Sequence, residues 1–164
     1  LVIVRHLHDA KNNKFLRKNN IMDETTRKIT FFFDDFTVAF ATFDGSRVAS
    51  KFTFPYLARD RDGNSTVFHD QAALANYFQR YLDTYRDTGC VQCQYSELHI
   101  QELGKEAAMA SVCWTLRDVA MATVLQWHES YVLNTALSVP LAFASIDHAE
   151  HLLHRAGKAQ ARRY

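Results

Sequence analysis

The sequence predicts an α+β domain in which a curved sheet of long antiparallel strands lies against a helical cover. Three observations lead there. Apolar and polar residues alternate from Gln94 to Leu133, and two segments of this run, Glu106 to Arg117 and Thr123 to Leu133, are about twice the usual strand length of roughly 5–6 residues. Segments with helical periodicity precede these strands. The chain of 164 residues also carries twelve Phe and seven Tyr, side chains whose large area suits a small core or a deep pocket. That length fits one domain with a sizeable single core.

The elements follow in order. Residues 1–24 are polar, basic and Asn-rich and read as an irregular or partly helical extension, with the domain proper at 25–148 and a terminal helix or tail at 149–164. From Thr25 to Phe43 the apolar positions Ile29, Phe32, Phe33, Phe36, Phe40 and Phe43 form one face of a helix. Asp44-Gly45 stops it, and Ser46 is expected to cap a short second helix reaching Phe52. Phe54-Pro55-Tyr56 breaks that helix. Tyr56–Arg59 and Thr66–His69 then flank the polar turn Asp60-Arg61-Asp62-Gly63-Asn64 and predict a small hairpin. Asp70 caps a third helix whose face holds Leu74, Tyr77, Phe78, Tyr81, Leu82 and Tyr85, with Gly89 just past its end. Its tyrosines suggest one side on the core and one on something wetter. Strands are predicted at Gln94–Leu103, Glu106–Arg117, Ala122–Leu133 and Leu141–Asp147. Leu103-Gly104-Lys105 makes a good tight turn, whereas Arg117 to Met121 lacks Gly and Asn. Pro140 precedes the last strand, where a missing N–H costs least.

Composition narrows the function classes. Nineteen basic residues against eighteen acidic ones give a net charge of +1, which offers no electrostatic reason to expect nucleic acid or an anionic membrane as partner. No apolar run approaches the roughly 20 residues of a membrane span, and a cytoplasmic location is the default expectation. The first 21 residues read as a fragment's edge, a processed start, or an extension upstream of a natural start at Met22. Cys90-Val91-Gln92-Cys93 has redox-motif spacing but follows a helix end, where the dipole disfavours a thiolate. A zinc site there would need two more ligands, and Cys113 and His99 offer no paired spacing. Structural cysteines are therefore expected, without a disulfide framework. His148, His151 and His154 recur every three residues, as on a solvated helix side. Neither a metal site nor a cofactor is expected.

Phe40-Ala41-Thr42-Phe43-Asp44-Gly45, Phe68-His69-Asp70 through Tyr77-Phe78, and Ala108 to Leu116 followed by Trp127-His128-Glu129-Ser130-Tyr131-Val132-Leu133 carry a family likeness. Together with the element order they resemble the nuclear-transport-factor-2-like superfamily, in particular its polyketide-cyclase-like (SnoaL-like) members, over roughly residues 25–148. Members often have a Gly-Trp-Arg-like element entering the last strand, where this chain reads Ser138-Val139-Pro140-Leu141. The resemblance implies a cystatin-like cone: a curved sheet wrapped around three helices, with a pocket at its open end. Members include isomerases, dehydratases, epoxide hydrolases, cyclases and non-catalytic ligand-binding or dimerising domains, so the fold does not choose a function.

A pocket reaction in such a fold needs an acid or base in an apolar cavity, where desolvation moves its pKa towards neutrality. In the strand Thr123–Leu133, alternation puts Leu125, Trp127, Glu129, Tyr131 and Leu133 on one face. Glu129 between two aromatic rings is a candidate general base. The plainer reading sends it to solvent or a dimer partner, because alternation does not say which face is inside. His69 and Asp147 are the other candidate bases, and Tyr56, His69, Trp114, Tyr131 and Asp147 are the expected pocket lining. Asp60-Arg61-Asp62 has the letters of an epoxide-hydrolase relay but sits in a polar turn and is set aside. The expected partners are a small apolar or aromatic ligand and a second copy of the chain, docked through the outer sheet face.

Overall fold

The computed structural model describes residues 23–148; the predicted N-terminal extension up to Met22 and the tail from Ala149 lie outside the described residues. Helices α1 (Glu24–Phe40) and α2 (Gly45–Ala49) come first, then β1 (Phe52–Arg59), β2 (Ser65–Phe68), α3 (Gln71–Asp87), β3 (Gln92–Glu102), β4 (Ala107–Arg117), β5 (Thr123–Asn134) and β6 (Leu141–Asp147). The strands form one six-stranded sheet in the order β2-β1-β6-β5-β4-β3. Its pairings are antiparallel except for β1 against β6, which is parallel. The curved sheet and its helices make the predicted α+β architecture, with this one parallel pairing added.

The core lies between the helices and the inner sheet face. Helix α1 buries Ile29, Phe32, Phe33, Phe36, Ala39 and Phe40, the stripe its periodicity predicts. From the sheet, β4 contributes Ala108, Ala110, Val112, Trp114 and Leu116, every second residue, as a pleated strand requires. Trp114, within that row, packs against Phe33 and Phe36 of α1.

Three local features depart from the sequence reading. Asp44, not Ser46, caps α2: its carboxylate accepts from the Ser46 and Arg47 amides. Phe43, at φ 51°, takes the left-handed position after α1, so Gly45 is not there to end a helix. It is there because α2 packs backbone to backbone on α3. A Cβ at Gly45 would lie 2.3 Å from the Ala75 carbonyl oxygen and 2.8 Å from the Gln79 amide nitrogen, and no flexible side chain could yield. Gln79 fastens the same junction, accepting from the Gly45 amide at 2.8 Å and donating to the Phe43 carbonyl at 3.2 Å. The short helix also stops at Ala49, and Phe52 starts a strand whose register against β6 shifts before Leu57. Pro55 falls in that irregular stretch, the place within a sheet where a missing donor is tolerated.

The turn without Gly or Asn closes through Asp118, which accepts from the Ala120 and Ala122 amides, while Met121 adopts φ 62°. This local side-chain-to-backbone bonding is how an aspartate supplies turn geometry. No helix among the described residues is long and apolar enough to cross a membrane.

Candidate functional site

Between α1, α3 and the inner face of the sheet lies a cavity of about 400 Å³, within the size range of small-molecule sites. Phe36 and Phe40 reach it from α1, and Tyr77, Tyr81 and Tyr85 from α3. The tyrosines recur every four residues, so one side of α3 presents a continuous aromatic strip. Trp114 and Trp127, opposite each other on β4 and β5 with ring centroids 6.4 Å apart, form the facing wall.

The polar groups gather on β5 and β6. Glu129 and Asp147 are register partners, as are Tyr131 and Ser145, so the inward positions of two paired strands place two carboxylates, a phenol and a hydroxyl together. Glu129 Oε2 accepts from Tyr131 Oη at 2.6 Å and from Trp127 Nε1 at 3.3 Å. Trp114 Nε1 in turn donates to Tyr131 Oη at 3.0 Å. Tyr56 Oη lies 2.6 Å from Ser145 Oγ. These bonds satisfy groups that would otherwise be costly to bury.

Glu129 is only 9% exposed. Burial, then the charge of Asp147, pushes its carboxyl up to about 7, while hydrogen bonds from Tyr131, Ser145 and Trp127 pull it down. Desolvation also raises Asp147, opposed by the nearby Arg61 guanidinium. Burial raises Tyr56 and Tyr131 well above the ordinary phenol value. An acid held near neutrality can both take and give a proton.

Of the expected pocket residues, Tyr56, Trp114, Tyr131 and Asp147 all line this cavity, and so does Glu129. The plainer reading of Glu129, directed to solvent or a partner, is overturned: the face carrying Trp127, Glu129 and Tyr131 is the inside. His69 is placed elsewhere. It is exposed and does not line the cavity, because β2 ends at Phe68, which takes the buried position and stacks on Tyr56. Arg61 is the residue that sequence reasoning passed over. Asp60, Arg61 and Asp62 all border the cavity, although Asp60 is engaged in the turn itself, accepting from the Asp62 and Asn64 amides. The strip of tyrosines on α3 was the legible signal of a cavity on that side.

Cys93 lines the cavity, and burial raises both its thiol and that of Cys90. A raised thiol pKa disfavours the thiolate, in line with the structural role expected of this pair.

Solved structures of the same architecture include a domain of unknown function with a cystatin-like fold from Nostoc punctiforme, at 15% identity and TM-score 0.64, covering 82% of this chain and 83% of that one. Aln2 from a Streptomyces species aligns at 13% identity and TM-score 0.64, covering 78% and 92%. An NTF2-like protein with a cystatin-like fold from Novosphingobium aromaticivorans aligns at 11% and TM-score 0.62, covering 90% of each chain. No curated protein matches the sequence. At such identities these likenesses speak for the fold alone, and it is the sequence match over residues 23–138 that assigns the family: the chain belongs to the NTF2-like protein family (DUF6841).

Proposed function

We propose that this domain binds a small, largely apolar, ring-bearing molecule in the aromatic cavity, oriented by the polar groups of β5 and β6. The observation that carries this reading is the buried Glu129, hydrogen-bonded to Tyr131 and Trp127 on the wall of an aromatic-rich cavity whose charged turn, Asp60 to Asp62, lies at its border. Sites of this kind use apolar surface for affinity and a few fixed polar groups for orientation.

The same carboxylate favours a second reading, a cofactor-independent isomerase, dehydratase or cyclase. Glu129 would take a proton from carbon beside a carbonyl, the electron pair passing into the enolate and, in a dehydration, expelling a β-hydroxyl as water, with Asp147 across the strand pair and the Tyr56 hydroxyl on the same wall. One probe tests both. 2-Tetralone is a neutral bicyclic ketone with acidic C–H bonds beside its carbonyl. It should quench Trp114 and Trp127 fluorescence saturably, and in heavy water it should exchange those hydrogens faster than in buffer. Glu129→Gln should keep the binding and lose the exchange. Exchange no faster than buffer would end the acid–base reading. If quenching does not saturate and native mass spectrometry of the purified protein shows no retained small molecule, the binding reading fails with it.

A symmetric dimer through the outer sheet face is the remaining part of the proposal. Leu57, Val67 and Ile146 are 39%, 50% and 42% exposed on the β2-β1-β6 half of that face, where an apolar cluster favours a partner. Sedimentation at high micromolar concentration should give twice the chain mass; a monomer there would contradict it.

A further inference from the structure

On the opposite half of the outer face, three neighbouring strands each present one metal-ligating side chain at the same level. Glu97 comes from β3, Cys113 from β4 and His128 from β5, and their ligand atoms all lie within 4.8 Å of one another. We propose that they form a zinc site, independent of the cavity on the inner face.

The backbone explains how the three meet. Cys113 is the register partner of both Ser96 on β3 and His128 on β5, so its outward thiol has His128 directly beside it. Simple alternation would turn Glu97, next to Ser96, towards the core. Instead the β3–β4 register shifts between Ser96 and His99, and Glu97 adopts φ 55°, a left-handed conformation uncommon for a residue with a side chain. Bulges re-aim side chains in this way and are frequent beside functional sites. Here the bulge brings the Glu97 carboxylate to the outer face, 3.3 Å from His128 Nε2.

The donor set is specific. Thiolate, imidazole and carboxylate together suit zinc, which binds all three and prefers four ligands in a tetrahedron. Bonds of about 2.0–2.3 Å set tetrahedral ligand atoms roughly 3.3–3.7 Å apart. The Glu97–His128 pair already has that spacing. Cys113 is 1% exposed and fixed in the middle strand, whereas the side chains of Glu97 and His128 are 71% and 47% exposed and can close over it. On binding, the thiol releases its proton to solvent and the sulfur bonds the metal. Water completes the tetrahedron. His148 lies alongside, its ring parallel to that of His128 at 6.3 Å and its Nε2 2.7 Å from Ser130 Oγ.

Cobalt(II) tests the site in the full chain, reduced and stripped with chelator. One equivalent should bring the thiolate-to-cobalt charge-transfer band and the visible bands of four-coordinate cobalt, both abolished by zinc. Cys113→Ser should remove the charge-transfer band, and His128→Ala or Glu97→Gln should weaken binding more than about tenfold, the least that loss of a metal-site residue typically costs. The Cys90→Ser/Cys93→Ser double variant should keep the band. If Cys113→Ser does not fold, His128→Ala and Glu97→Gln, both changes at exposed side chains, decide the matter alone. No charge-transfer band in the parent protein, a band that survives Cys113→Ser, or unchanged affinity in the His128 and Glu97 variants would overturn the proposal.

Discussion

Trp114→Ala is expected to lower the stability of this domain by about 3–5 kcal/mol, the range for truncating a buried large aromatic, and a large fraction of the roughly 5–15 kcal/mol a domain has in total. Trp114 is fully buried. Its ring packs against Phe36 at 5.1 Å, Phe33 at 5.8 Å, Tyr95 at 6.0 Å and Tyr131 at 6.4 Å between centroids. Alanine leaves a void that these rings, anchored on α1 and two strands, can only partly fill. It also removes the N–H that Tyr131 Oη accepts, loosening the phenol that holds Glu129. Trp114→Phe keeps most of the ring contact and loses the donor, so its cost should be smaller, about 1–3 kcal/mol for an unpaired buried group. Urea unfolding followed by circular dichroism measures both, and equal midpoints for Trp114→Ala and the parent would contradict this account of the core.

The second large effect belongs to Glu129→Gln and depends on pH. The carboxyl has its ordinary value of 4.5 when unfolded and about 7 when folded. The folded state therefore holds a proton that the unfolded state has already lost between these values. By linkage, its contribution to stability is full below about pH 4.5, falls as pH rises through about 7 and is level above. The shift corresponds to at most about 3 kcal/mol, and Asp147, raised as well, acts in the same direction. A glutamine side chain at this position cannot ionise. The variant should match the parent at acid pH and be more stable above neutrality, with the difference growing across that window. Urea midpoints of the two proteins, compared from acid to alkaline pH with chelator present, check the sign. A variant equally destabilised at every pH would show that the Glu129 carboxyl titrates alike in the folded and unfolded states, and one destabilised only above neutrality would show that its charged form is the structurally required one.

Much of this was legible in the chain because burial leaves a period. The stripe from Ile29 to Phe40 on α1 and the alternation on β4 identify core positions individually. Alternation also placed Trp127, Glu129 and Tyr131 on one face, but β5 carries apolar residues on both, Val124 and Val132 among them. Only packing against α1 makes one face the inside: Tyr131 meets Phe32 and Phe33 there. Arg61 was passed over because a polar turn looks the same whether it points to water or borders a cavity. His69 was misplaced by one step of strand pleat, since Phe68 occupies the inward position. The Glu97–Cys113–His128 cluster has no sequence signature at all. Its members are separated by whole strands and meet only through register and a bulge.

The central claim, an acid held near neutrality within an aromatic cavity, is tested most directly by the carbon-13 shift of the Glu129 side-chain carboxyl. Its resonance is assigned by its disappearance in Glu129→Gln and followed across the pH range in chelator-treated protein. The structure predicts a midpoint at about 7, accompanied by a second transition at the resonance of Asp147, its partner across the strands. A midpoint at the ordinary 4.5 would contradict it, placing Glu129 in water and leaving the cavity without its acid.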